Sequence, residues 1–275
     1  ESRQPQSCNN FEKAHSTQQV FSKSITGSYT LKISKLNSSH NATQAAPAPQ
    51  RKSIASIEVV KADFPEEKSI LNLKINITQC KGPNIEVNYA GISQVHNCQK
   101  GVKEFTFESE VGLNKLDIQS ENRGSKQNLL SKVFLHPGDR SYLLAALNPT
   151  VQRQGWGELG INQSNAKNPL RIAGQTYFLG LGAHAPSFIE FDIPKGFDQI
   201  QFAYGMDDEE VGGDGAKFKI LLDNKEAWSS EQIQHKKIYV QKLKIGNAKK
   251  LRLVTEAGTT NHFDHTDWIL PVLIK

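Results

Sequence analysis

The sequence predicts an all-β protein built from two β-sandwich domains, and three observations carry that expectation. Apolar and polar residues alternate in two clear stretches. Leu71, Leu73, Ile75 and Ile77 are interleaved with Asn72, Lys74 and Asn76, and Ile200, Phe202, Tyr204 and Met206 follow the same rule. A period of two puts one set of side chains on one face of a strand, so each stretch reads as a strand with one face buried. Gly, Asn, Asp and Pro turn signals separate further strand-like segments at intervals of about ten residues. Only SKQNLLSKVF and SYLLAAL carry a helical pattern, and both are short. At 275 residues with 37% hydrophobic content, the chain exceeds one average domain and can fill two cores. Sandwiches or jelly rolls suit this pattern better than a closed barrel.

Taken in order, residues 1 to 38 hold too little apolar material for a core of their own. The small-residue, Pro-bearing run at 39–53 reads as a mobile loop or linker. Strands are expected at SYTLKIS, SIEVVKA, SILNLKINITQC, IEVNYAGI, EFTFESEV and KLDIQSE, which suggests an immunoglobulin-like sandwich. HPGD, His136 to Asp139, is a turn signal and sets the expected boundary between a first domain, 1–138, and a second, 139–275. FIEFDI, QIQFAYGM, KFKILLD, IYVQKL and LRLVTE supply strands of the second domain.

The net charge of +5 is modest, and the basic residues are spread along the chain. Phosphate binding normally needs clustered Lys and Arg, so nucleic acid is not an expected partner. No apolar run approaches the roughly 20 residues of a membrane span, so membrane insertion is not expected. The opening ESRQPQSCNN has neither an initiator Met nor an apolar signal core and reads as the trimmed start of a mature or engineered chain. Cys80 and Cys98 sit beside turn residues and flank one strand-like segment, as a hairpin-clamping disulfide would, while Cys8 is a spare or an alternative partner. That pattern points to a secreted or cell-surface protein. Sequons at Asn37, Asn41, Asn76 and Asn162 matter only in a eukaryotic secretory pathway.

The second half holds the informative motifs. GWG (Gly155 to Gly157), GLGAHAPS (Gly180 to Ser187), GMDDE (Gly205 to Glu209), the turn from Asp223 to Lys225, the AKKLRL strand and DHTDW (Asp264 to Trp268) occur in one order. In these landmarks the segment 139–275 resembles the NPCBM type of carbohydrate-binding module. It departs from the family pattern in the extended acidic loop containing VGGDG and in lacking an acidic residue early in SYLLAALNPT. The resemblance implies a galactose-binding-like jelly roll, non-catalytic, of a kind usually attached to glycoside hydrolases and in some members binding galactose-containing glycans.

Sugar recognition needs planar groups that hydrogen-bond hydroxyl pairs and an aromatic face for the apolar side of the ring. His184, Asp208, Glu209, Asp264 and His265 are candidates for the first role, and Trp156 between two glycines for the second. Trp268, against the closing strand, is expected to anchor the core, with Asp264 and His265 facing the loops. The run MDDEEVGGDG offers oxygens to a hard cation, with Asp207 and Asp214 as expected calcium ligands, although its spacing is not that of an EF-hand and a merely solvated acidic turn is the alternative reading. His262 and His265 lack the Cys pair or helical H-E-x-x-H that zinc would favour. No nucleophile elbow, Walker loop, dinucleotide fingerprint or metalloprotease helix is present, so no enzyme is expected. The competing class is a structural or protein-interaction module without sugar binding.

Overall fold

The computed structural model describes residues 57–65, 69–79, 82–122, 124–136, 141–209, 212–234 and 237–275. The expected loop at 39–53, the strand SYTLKIS, Cys8, Cys80, Asn37, Asn41, Glu210 and the turn at 137–139 lie outside the described residues.

The first sandwich comprises β1 (Ile57–Asp63), β2 (Ile70–Ile77), β3 (Asn84–Tyr89), β4 (Ile92–Asn97), β5 (Gly101–Glu108), β6 (Gly112–Asn122) and β7 (Ser125–His136). Its sheets, β1-β2-β5 and β4-β3-β6-β7, are antiparallel throughout and give the three-plus-four layout of an immunoglobulin-like sandwich. The alternation in β2 is obeyed: Leu71, Leu73, Ile75 and Ile77 are buried and meet Ile85 and Val87 of β3, Phe105 and Phe107 of β5, and Ile118 of β6. Half-buried Cys98 packs on the same core.

The helix expected at SKQNLLSKVF is instead strand β7. Two physical features disguised it. A register shift opposite Ile118 and Gln119 leaves Leu129 as an extra residue, which breaks the period of two. Beyond the bulge both faces of the strand are covered: Leu130 and Phe134 enter the first core, while Val133 and Leu135 pack toward the second sandwich. The helix expected at SYLLAAL is also corrected. Ser141–Leu143 forms β8, paired with the last strand, and only Leu144–Ala146 makes a single 3-10 turn.

The second sandwich continues with β9 (Val151–Gln154), β10 (Gly160–Ile161), β11 (Leu170–Ile172), β12 (Gln175–Tyr177), β13 (Gly180–His184), β14 (Ser187–Asp192) and β15 (Gln199–Met206). It closes with β16 (Ala216–Leu222), β17 (Lys225–Ile233), β18 (Tyr239–Lys244), β19 (Lys250–Ala257) and β20 (His265–Ile274). One sheet runs β10-β13-β20-β15-β18 with β8 added beside β20; the other runs β17-β16-β19-β14-β9. Phe202, Tyr204 and Trp268 from the first face Ile189, Phe191, Phe218, Ile220, Leu251 and Leu253 from the second, and these residues form the core.

The six-stranded sheet is covered on its outer face too, which explains why β15 is buried almost continuously. Leu170, Ile172 and Tyr177 of the β11–β12 hairpin, with Leu113 and Val133 of the first sandwich, pack there against Ala203, Ile269 and Val272. A buried polar contact pins this junction: the Leu113 N–H donates to Gln201 Oε1 at 2.7 Å. Gly112, at φ +103, lies so close to that amide that any side chain would collide with it.

Candidate functional site

The residues from the motifs meet at one edge of the second sandwich, where β9, β13 and β20 end. His184 and His265 are cross-strand partners in the β13–β20 pair, so their imidazoles lie side by side, with ring centroids 5.1 Å apart. Trp156, in the loop after β9, places its indole 5.8 Å from the His184 ring and 6.0 Å from the His265 ring. The indole is 60% exposed while both imidazoles keep only a small fraction at the surface. The result is an open aromatic face flanked by two polar ring edges.

The glycines around the indole are structural necessities. A side chain at Gly155 would strike Pro186 and the Ala185 carbonyl, and Gly157 has φ +68 with the Asn165 amide where a Cβ would sit. Asn165, itself buried, donates through Nδ2 to the Trp156 and Glu158 carbonyl oxygens at 3.3 and 3.0 Å. That clamp holds the loop and its tryptophan in place. Sequence reading missed Asn165 and Ser164; the available signal was the Asn- and Ser-rich loop directly after GWG, whose sequon at Asn162 drew attention instead. Asn162 Oδ1 accepts the Gly180 N–H at 3.2 Å.

The acidic residues prove to be scaffold. Glu209 Oε1 meets His265 Nδ1 at 2.5 Å, and Glu209 Oε2 accepts from Ser164 Oγ at 2.5 Å and Asn168 Nδ2 at 3.0 Å. Burial by itself would raise its pKa, but the hydrogen bonds from His265, Ser164 and Asn168 outweigh burial and bring the carboxyl down to about 2. Both oxygens being engaged, Glu209 orients His265 rather than offering itself to a ligand. Asp208 takes the N–H groups of Ala173 and Gly174 at 3.1 and 2.6 Å, fixing the β11–β12 turn, instead of lining the rim.

A depressed carboxyl contributes stability above its unfolded value of 4.5 and loses it as pH falls toward the folded value of about 2. The expected outcome is that the parent protein weakens over that window, by up to about 3 kcal/mol, and that Glu209→Gln lacks this acid limb. Urea unfolding at pH 2 to 7 checks it.

Asp264 corrects a second expectation. It is 0% exposed, not loop-facing. Its carbonyl accepts the Ala185 N–H at 3.0 Å, which tethers the backbone at the start of β20. Adjacent side chains there point to opposite sides, so His265 reaches Trp156 while Asp264 turns inward. Burial first, and then the Asp214 charge, push the Asp264 carboxyl up to about 6. Trp268 is fully buried, as expected, edge-to-face with Phe202 and Phe218 at 5.3 and 5.1 Å.

Asp207 and Asp214, the expected calcium pair, share no hydrogen-bond partner. Asp207 accepts from the Arg171 and Glu209 N–H groups and lies against Asp267, whose carboxyl burial and the Asp207 charge hold well above the usual range. Asp214 Oδ2 accepts from the N–H groups of Thr259 and Thr260. Among the described residues, no group of three or more His, Cys, Asp or Glu side chains is placed to hold a metal ion.

Comparison with known proteins finds relatives of the second sandwich. The family model of the NPCBM/NEW2 domain matches residues 140–274. A segment of 125 residues, 43% of this chain, is 28% identical to Alpha-1,3-galactosidase B of Akkermansia muciniphila and spans 16% of that protein's length. Among solved structures, CBM51 from Clostridium perfringens GH95 in complex with methyl-galactose is 25% identical over 49% of this chain and all of its own, with a TM-score of 0.45. The CBM51-2 and INT domains of Clostridium perfringens ZmpB are 18% identical over 80% of this chain and 40% of theirs, with a TM-score of 0.46.

Proposed function

Residues 140–274 are an NPCBM/NEW2 domain, and from that premise we propose that the protein is a secreted or cell-surface, non-catalytic glycan-binding module that recognises galactose-type sugars at the Trp156 edge. The observation that carries the reading is the exposed indole set against two imidazoles. A sugar ring presents one face rich in C–H groups, which the indole covers, and hydroxyls at its rim, which the ring nitrogens can hydrogen-bond. Galactose is favoured by the names of the relatives, one a galactosidase and one in complex with methyl-galactose. The pairing of Cys98 with Cys80 belongs to the same proposal, because disulfides persist in oxidising compartments. Peptide mapping without reductant that finds both as free thiols would remove the secretion argument.

His184 supplies the clearest hydrogen-bonding group. Its Nδ1 lies 2.8 Å from the Ala185 carbonyl oxygen, which can only accept, so Nδ1 carries the proton and Nε2 keeps its lone pair for a hydroxyl. Burial, and then the neighbouring His265, hold its pKa below 6.5, so the ring is neutral at pH 7. Affinity is expected to stay level from pH 8 to 7 and to fall once pH drops through that lowered value, as Nε2 becomes protonated. His184→Gln is expected to weaken binding about 5- to 30-fold, roughly 1–2 kcal/mol. Calorimetric titrations from pH 8 to 5 check both; an affinity flat across the whole range would remove His184 from the site.

A shallow edge offers few contacts, and hydroxyls exchange water bonds for protein bonds at little net gain, so single-site affinity is on the order of 0.1–1 mM. Clustered glycans then supply tight attachment through avidity. A glycan array probed with the full chain is the test: galactose-terminated ligands are expected to stand out, and silence on all glycans at high protein concentration would favour a structural or protein-interaction module. A second reading, an ancillary part of a glycoside hydrolase, is favoured by the galactosidase, of which the matched segment spans 16%.

A further inference from the structure

We infer that the outer edge of β4 docks against β4 of a second copy of this chain, so that the protein associates as a two-fold dimer through one continuous sheet. β4 stands at the end of the order β4-β3-β6-β7, and among the described residues no strand pairs with its far side. The strand is exposed at every position but Gln94, and Val95 is 63% accessible. Open sheet edges invite pairing, and folded chains normally guard them with charged side chains or proline. The other described edge strands of six residues or more, β1, β5, β7, β17 and β18, each carry at least two Lys, Asp or Glu. The β4 sequence ISQVHN has no Lys, Arg, Asp, Glu or Pro.

The phase of the ladder fixes which backbone groups face outward. The Cys98 N–H donates to the Pro83 carbonyl at 2.8 Å, in the register that sets His96 opposite Ile85 and Gln94 opposite Val87. Bonded and non-bonded pairs alternate along an antiparallel ladder. Ile92, Gln94 and His96 therefore turn their N–H and C=O groups to β3, and Ser93, Val95 and Asn97 turn theirs away. Those three are spaced evenly about Val95. A second β4 running antiparallel sets Val95 opposite its own copy and Ser93 opposite Asn97 on both sides, each pair exchanging both of its bonds. The edge is its own complement under a two-fold axis, the commonest symmetry of soluble oligomers.

The side chains agree with that register. Ile85 and Val87 point into the core, so Val95 shares the outer face of the sheet with its neighbour Glu86. Across the axis the two Val95 side chains meet directly and leave water. Glu86 is already paired with Lys126 at 2.7 Å, so no uncompensated charge stands beside the valines. The two-residue turn at Ala90 and Gly91, φ 51 and 89, holds β4 close against β3. One strand-to-strand contact buries less than the ~1,600 Å² of a standard interface, so the dimer is weak, with Kd on the order of 100 µM.

The association is independent of the glycan site and is read without sugar. The test is sedimentation equilibrium of the full chain from about 5 to 500 µM, a range that brackets this Kd. The weight-average mass is expected to rise from that of one chain toward that of two. Val95→Lys, which sets two ammonium groups face to face, is expected to weaken association about tenfold or more, and Val95→Glu likewise. An equimolar mixture of the two variants is expected to associate again, because opposite charges then meet across the axis. Since Val95 is exposed, both variants should melt within about 2 °C of the parent. A parent that remains a single chain at about 500 µM, or a dimer that Val95→Lys leaves unchanged, would overturn the inference.

Discussion

Trp268→Ala is expected to destabilise the C-terminal sandwich by about 3–5 kcal/mol, the cost of emptying a large aromatic site in a core. The indole is 0% exposed and sits where both sheets meet, edge-to-face with Phe202 from one and Phe218 from the other. Removing it leaves a cavity lined by residues that strand pairing holds in place: β20 is bonded to β13 on one side and β15 on the other, so little collapse can fill the void. Chemical denaturation should show the loss as a lower midpoint without a change of slope. A change below about 1 kcal/mol would mean that the ring is not the keystone its burial implies.

Trp156→Ala is expected to have the opposite profile. The indole is 60% exposed, so its loss removes little packing, and the melting temperature should stay within about 2 °C of the parent. Binding to galactose-type glycans should fall more than tenfold, about 1.5–3 kcal/mol, because the sugar loses its apolar contact and the indole that screens the imidazole edges from water. Titration of both variants against the best ligand from the array separates the roles. A Trp156→Ala protein that binds as well as the parent would displace the proposed site from this edge altogether.

These two tryptophans also show how far a sequence can be read. Trp268 was legible because it opens the final apolar run, and Trp156 because flanking glycines let the backbone approach its neighbours and leave the ring outside. The carboxylates were not legible. Asp208, Glu209 and Asp264 look alike on paper, yet one caps a turn, one orients an imidazole and one is sealed in the interior. What distinguishes them is the identity of the N–H, hydroxyl or oxygen neighbours, which come from residues up to 56 positions away.

The sequence alone determined the strands whose one face is buried, since a period of two is a local property of the backbone: β2 and β3 follow it residue by residue, and β16 and β19 follow it up to their last residues. It also determined the order of motifs that brings His184 and His265 to strand ends. Only the tertiary structure decided the elements buried on two sides. β7 lost its alternation to a bulge and to the second sandwich, and the all-buried β13 had no alternation to lose. The same holds for the site. A side chain's chemistry is written in its own code, but whether that chemistry is spent inside the fold or left for a ligand depends on partners that only folding supplies.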